Sequence, residues 1–367
     1  MSSNRTGRLK HIFNLYTSDL SYDEIERLIR QEASDVYEFF KKEIPKPDKS
    51  LNRFSRGIIF IRSLFNAFLL KLPPARRFFY FASLLFLIFG LLNSINGYII
   101  LSFVIINILL AFELADKLLV KNELEIAQKI QWELVPKAPP AIEGYEISFH
   151  YEPAKEVGGD YLDFVQSKES GSTYIIIGDV SGKGIAAALY VVRVQAIIHQ
   201  LIESLTSLKG MIVDIRRYFS HNLRREFFLT LAVAEIKSGN SISLCRAGHN
   251  PVLYFNAASG QFEEIKPAGL AIGFNDKTVF EKVLEETSLT VNPGDIILFY
   301  TDGVTETMNE SKLMFGIERV KQTIKEFSER NSEDIKLALL NRVWHFKGNA
   351  QISDDIAFVV MKVKKES

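Results

Sequence analysis

Ile175-Ile176-Ile177-Gly178-Asp179-Val180-Ser181-Gly182-Lys183-Gly184 is the stretch whose reading decides the fold. Three β-branched residues after Tyr174 predict a buried strand, and Asp179 stands where that strand breaks into glycines, where a rigid scaffold can hold a reactive group. A carboxylate there is costly to bury alone, so it has to meet solvent, a base or a cation. Gly182-Lys183 after a strand also invites a phosphate-loop reading. The pattern G-x-x-x-x-G-K-[ST] needs one more residue between its glycines and a hydroxyl after the lysine, and this chain has neither.

Outward from this stretch come further acids of the same kind. Asp160 follows Val157-Gly158-Gly159, Asp302 follows Leu298-Phe299-Tyr300-Thr301, and Asp354-Asp355 precede Ile356-Ala357-Phe358-Val359-Val360. Acidic strand ends repel one another if they meet in space, unless divalent cations lie between them. Mg²⁺ and Mn²⁺ take carboxylate, carbonyl and water oxygens. Two such ions sharing a bridging carboxylate would hold a water of lowered pKa, ready to attack phosphorus.

The chain is charge-balanced, with 44 basic and 44 acidic residues among 367, which gives no global signal for nucleic acid or another polyanion. The single cysteine, Cys245, excludes an intramolecular disulfide framework and suits a reducing compartment. From Phe78 to Phe112 no residue carries a formal charge. Two apolar runs, 78–95 and 98–115, flank Asn93-Ser94-Ile95-Asn96-Gly97, whose Asn and Gly favour a turn. Each is near the ~20 residues that cross a bilayer, so the segment reads as a transmembrane helical hairpin; the alternative is a buried hairpin of a soluble domain. Lys46, Lys49, Arg53, Arg56, Arg62, Lys71, Arg76 and Arg77 oppose only Asp48 in the preceding flank, and the turn carries no charge. The positive-inside rule then predicts a multi-pass protein of the cytoplasmic membrane with its C-terminal part in the cytosol.

Residues 1–77 read as a cytosolic N-terminal region. A helix near Tyr22–Lys42 is capped by Ser21 with Glu24 three residues on, and 57–70 reads as an interfacial helix, with a third membrane segment as the alternative. After the two spans (78–115) comes a linker helix at 116–140. Its positions Val120, Ala127 and Leu134, with Ile130, form part of a heptad seam, so 113–135 is a candidate coiled-coil homodimer contact or a face packed on the chain's own domain. Residues 141–367 form an α+β domain. Strands are expected at 145–151, 161–166, 173–179, 227–236, 241–247, 252–256, 279–285, 295–301 and 355–363, and helices near 184–206, 209–224, 316–329 and 333–346. Short turns such as Lys237-Ser238-Gly239-Asn240 indicate antiparallel sheets, packed together with helices outside.

Gly158-Gly159-Asp160-Tyr161-Leu162-Asp163-Phe164, Gly178-Asp179-Val180-Ser181-Gly182-Lys183-Gly184, Ala247-Gly248-His249-Asn250-Pro251, Gly294-Asp295, Tyr300-Thr301-Asp302-Gly303-Val304-Thr305-Glu306 and Asp354-Asp355-Ile356 stand in the order seen in bacterial metal-dependent type 2C serine/threonine phosphatases. The chain resembles the branch of sporulation protein E and the sigma-B regulator U over about 120–364. Glu123–Gln131 is similar to the linker helix of the regulator U group. The resemblance implies a double antiparallel β-sheet sandwich flanked by helices, here preceded by the transmembrane hairpin, with two Mn²⁺ or Mg²⁺ ions between the sheets. It implies Asp179 as bridging ligand, the Val180 carbonyl and Asp160 beside it, and Asp302 and Asp354 on the other ion, with Asp355 as the alternative to Asp354. The nucleophile is then a metal-bound water, with no protein nucleophile. The implied substrate is a phosphoprotein resembling an anti-sigma-factor antagonist in a partner-switching pathway.

Lys183 and His249 are candidate substrate contacts, against the plainer readings of a solvated lysine at a helix start and a turn-stabilising histidine. Asp163 reads as a cap or local hydrogen-bonding residue, and Asp295, in a Pro-Gly-Asp turn, as structural. Two other functions compete with the phosphatase: a catalytically weak membrane-tethered scaffold binding the same partner, and a phosphodiester or nucleotide hydrolase using the same metal pair.

Overall fold

The computed structural model describes residues 59, 62–63, 65–67, 69–203, 207–220, 227–237, 240–273 and 277–365. It divides into two units, one ending at Leu118 and one spanning Leu119–Ser367. The expected helix at 22–42, its cap Ser21 and the basic positions up to Arg56 lie outside the described residues, as do parts of 57–70 and of the turn at 237–240.

In the first unit, Pro74 opens α1 (Pro74–Leu92), where a missing N–H costs nothing. The backbone N–H and Nδ2 of Asn93 both donate to the Phe89 carbonyl, Ser94 takes a left-handed φ of 54°, and α2 (Asn96–Leu134) runs back. Gly90 lets the helices approach closely, since a Cβ there would sit 2.9 Å from Ile99 Cγ1. At the other end Arg76 pairs with Glu113 at 3.0 Å and Asp116 at 2.7 Å, which closes the hairpin. The Arg77 guanidinium donates to the Leu69, Leu70 and Leu72 carbonyls, where the helical residues before Pro73 end. The expected spans and linker are not separate elements here. With no proline between Gly97 and Pro136, nothing stops α2 before Leu134. Both helices are long and apolar enough to cross a bilayer, as is the later helix Ile185–Ile202.

The second unit stacks two antiparallel five-stranded sheets. The first has the order β1 (Tyr145–Glu152), β10 (Ile356–Val363), β9 (Ile296–Tyr300), β6 (Val252–Asn256), β7 (Gln261–Ile265); the second has β2 (Asp160–Gln166), β3 (Thr173–Val180), β4 (Leu229–Ile236), β5 (Ser241–Ala247), β8 (Glu286–Thr290). Both faces of the central strands are covered, which is why their sequences are apolar without alternation. Ile175 and Ile177 point between the sheets, against a layer holding Ile297, Phe299, Ala357 and Val359. Ile176 points the other way, beneath α3 (Ile185–Ile202) and α4 (Leu208–Ser220). On the far side, Leu298, Phe358 and Val360 meet α7 (Ile317–Glu326) and α8 (Ser332–Lys347). The order of layers is helices, sheet, sheet, helices.

One expected strand is a helix. Residues 279–285 lie mostly in α5 (Lys277–Val283), because Phe280 and Leu284, four apart, are buried in one cluster while Val279 is half exposed. That is a helical period, which the β-branched composition obscured. Strands β7 and β8 were not anticipated. They are sheet edges whose residues are mostly exposed, so they lack an apolar signature.

Candidate metal centre

The antiparallel register of β2 and β3 sets Asp160 directly opposite Asp179. From the other sheet, β9 ends at Tyr300 and leads through Thr301 into the short helix α6 (Asp302–Glu306), which carries Asp302 at its first position. Strand β10, beside β9, is preceded by Asp354-Asp355. Thr301 Oγ1 donates to Asp160 Oδ2 at 2.7 Å and so ties the two sheets together at the site. Two glycines permit this convergence. A Cβ at Gly303 would collide with the Asp355 carbonyl oxygen, and one at Gly159 would lie 2.7 Å from that of Val180.

The five carboxylates expected at the site are therefore brought together, and their electrostatics show the strain. Burial, then the charges of Asp302, Asp354 and Asp355, push Asp179 up to about 7. Asp160 is buried and held well above the carboxylate range by desolvation, then by Asp355 and Asp179. Asp302 is raised by burial and then by Asp354. Among the described residues no three His, Cys, Asp or Glu side chains already form a ligand cluster. The donor set is nonetheless the hard-oxygen kind that Mg²⁺ and Mn²⁺ take, in a buried place where like charges repel. In chemistry, the residues present fit divalent cations.

The adjacent acids differ in role. Asp355 is buried; its Oδ1 accepts from Ala154 N at 2.7 Å, and its Oδ2 from Gly159 N at 2.5 Å and Asp160 N at 3.3 Å. Asp354 is more exposed and pairs with Lys183 Nζ at 3.0 Å, while Lys183 also donates to the Ser353 carbonyl. Asp355 thus braces the Asp160 loop, whereas Asp354 stands half-exposed with Oδ2 on Lys183 and Oδ1 accepting from Asp355 N. Asp355→Ala, which strands three backbone donors, is expected to lower unfolding stability by on the order of 3 kcal/mol, against under about 1 kcal/mol for Asp354→Ala. Urea denaturation of both variants checks this, and equal losses would refute the division of roles.

Lys183, expected as a substrate contact, is occupied by Asp354. His249 is buried rather than solvent-facing. Its Nδ1 shares a 2.8 Å hydrogen bond with Thr230 Oγ1, and burial followed by Arg246 pushes it down to about 3. A neutral imidazole there bonds β4 at Thr230, the residue paired with Asp179. Asp163 accepts from Tyr161, Gln195 and His199, and Asp295 from Tyr254, Ala257 and Asn292; Tyr161 and Asn292 are local partners, and the other four are distant along the chain. Sequence reasoning assigned no role to Thr301 or Gln131, although both stand in stretches that it singled out, Tyr300–Glu306 and Glu123–Gln131.

Known proteins resemble most of the second unit. The family model for stage II sporulation protein E (SpoIIE) matches residues 169–364. Phosphoserine phosphatase RsbU of Bacillus subtilis is 28% identical over 249 residues, which is 67% of this chain and 71% of that protein. Protein IcfG of Synechocystis is 26% identical over 65% of this chain, which spans only 41% of its length. The SiaA-PP2C domain of Pseudomonas aeruginosa has the same fold, with a TM-score of 0.57 at 18% identity, covering 68% of this chain and 98% of that one.

Proposed function

The chain belongs to the stage II sporulation protein E family, and on that premise we propose that it is a metal-dependent protein serine/threonine phosphatase. The observation that carries this reading is the convergence of Asp160 and Asp179 from one sheet with Asp302 and Asp354 from the other, each of the first three raised in pKa by burial and then by its neighbours. We assign Asp179, Asp160, the Val180 carbonyl, Asp302 and Asp354 to hold two Mn²⁺ or Mg²⁺ ions, with Asp355 bracing the loop. When bound, such ions neutralise phosphoryl oxygens and lower the pKa of a coordinated water. The chain's own part is to hold these oxygens rigidly. Thr301 and Asp355 fix Asp160, β3 fixes Asp179, and Lys183 offers a cation that can pass from Asp354 to an incoming phosphate. Cys245 takes no part, since burial and then Glu286 push its thiol up to about 12.

The substrate we propose is a phosphoserine or phosphothreonine protein of the anti-sigma-factor-antagonist kind, in keeping with the phosphoserine phosphatase among the relatives. The exposed apolar residues of the hairpin, such as Phe78, Leu85, Phe103 and Leu110, support insertion in the cytoplasmic membrane with the second unit in the cytosol. Leu118, Val120, Ile126 and Ile130 are also exposed on α2, which supports a homodimer through 113–135.

Phosphate release from a phosphoserine peptide by the full chain, with Mn²⁺ and with EDTA, tests the reading. Turnover that requires the metal is expected. Absent or EDTA-insensitive turnover favours the scaffold alternative, and faster cleavage of a cyclic dinucleotide favours the phosphodiesterase.

A further inference from the structure

We propose that Gln131, on α2, is a positioning residue for the metal centre. Resting on the metal-centre reading above, the inference names the side chain that locks the Asp160 loop. Gln131 is buried, and its amide grips the Gly158 peptide at both ends: Nε2 donates to the Gly158 carbonyl at 2.8 Å, and the Gly158 N–H donates to Oε1 at 2.9 Å. This is the pairing a neighbouring strand would give, supplied by one side chain.

Gly158 needs that grip. A Cβ there would come within 2.6 Å of Asp355 Oδ2, so the position excludes every side chain that could anchor it by packing. Its conformational freedom has to be removed through its peptide groups. Gln131 takes the first peptide, and Asp355 takes the N–H groups of the next two, at Gly159 and Asp160. The Gly159 carbonyl in turn accepts from Val180 N at 3.0 Å. Three successive residues leading to the Asp160 carboxylate are held in this way, and Gln131 holds the first. The next residue of α2 joins the same place, since the Trp132 ring meets Tyr151 edge-on at 5.8 Å, and the Tyr151 hydroxyl is raised by burial and then by the charges of Asp160 and Asp355. A second bond, Gln195 Nε2 to the Leu134 carbonyl at 3.1 Å, holds the end of α2 without touching the loop.

Loss of a group that orients a metal ligand typically weakens metal affinity about 10- to 100-fold. The experiment is Mn²⁺ binding by the full chain in detergent, read from the electron paramagnetic resonance signal of free Mn²⁺, with melting temperature recorded in parallel. Gln131→Met, similar in length but without polar ends, is expected to weaken Mn²⁺ binding about tenfold. Gln195→Met, which cuts the other anchor of the same helix end, is expected to leave it unchanged. In an Asp160→Asn background, Gln131→Met should add little, because both act on one ligand. Should Gln131→Met fail to fold, Gln131→Asn, a methylene too short for the grip, carries the same expectation. Unchanged affinity in the Gln131 variant, equal weakening by Gln195→Met, or a full additional loss on top of Asp160→Asn would each overturn the assignment. Failure of the unsubstituted chain to bind Mn²⁺ would instead remove the metal-centre reading itself.

Discussion

Asp179→Asn is expected to lower Mn²⁺-dependent phosphate release by about 10³-fold while leaving the metal-free chain as stable as before, or more so. The first half follows from the charge Asp179 supplies at the centre of the site, where several kcal/mol of charge stabilisation, at about 1.4 kcal/mol per factor of ten, is at stake. The second half follows from what that charge does when no cation is present. Asp179 is pushed up to about 7 by burial and by Asp302, Asp354 and Asp355, so its ionisation opposes folding. Asparagine keeps the shape and removes the repulsion. Most substitutions at buried polar positions destabilise, so a gain in melting temperature with loss of activity marks a residue kept for function at the expense of stability. Turnover near that of the unsubstituted chain, or a fall of several degrees in the metal-free melting temperature, would contradict this account.

The second large effect is the loss, on adding metal, of a pH dependence of stability. An unfolded aspartate releases its proton near 3.8, whereas folded Asp179 keeps its own to about 7, and Asp160 is raised well above the ordinary value by burial and then by Asp355 and Asp179. The folded state therefore binds more protons than the unfolded one, and its stability falls as pH rises through the folded values. His249 works in the opposite sense, because it stays neutral when buried, but only below the ordinary histidine value of 6.5. His150 behaves likewise, lowered by burial, while His199, raised by its hydrogen bond to Asp163, adds to the aspartate trend. The acidic cluster thus dominates between about pH 6.5 and 8. One group losing its proton in that window changes stability by up to about 1.4 kcal/mol per pH unit, or roughly 3 °C in a unit of this size. With EDTA the melting temperature should fall across the window. With saturating Mn²⁺ it should stay nearly level, because the metal-bound carboxylates are deprotonated in the folded state just as they are in the unfolded one. Parallel curves in the two conditions would show that the cation does not reside among these acids.

Some parts of this molecule can be read one neighbour at a time. The uncharged run from Phe78 to Phe112, the strand ending at Asp179 and the glycines after it are local patterns, and the helices and central strands stand where such patterns put them. The edge strands β7 and β8 are polar because solvent covers one side of them, and nothing in their composition separates them from loops. Phe280 and Leu284 were misread for a related reason, since a short apolar run does not reveal its period until one knows which side is buried.

The order of acids along the chain and the chemistry they can support were determined by the amino-acid sequence alone. Which acid stands half-exposed beside Lys183 and which braces a loop was decided only by the tertiary structure. Asp354 and Asp355 are neighbours of identical chemistry, yet one pairs with Lys183 and the other accepts from Gly159, 196 residues away in the chain. The same holds for Gln131, whose partner lies 27 residues on, and for Thr301, whose hydroxyl crosses between sheets to Asp160. Backbone propensity and apolar period act between near neighbours. Hydrogen bonds to a buried peptide or carboxylate depend on where distant strands come to rest, and no local pattern encodes that.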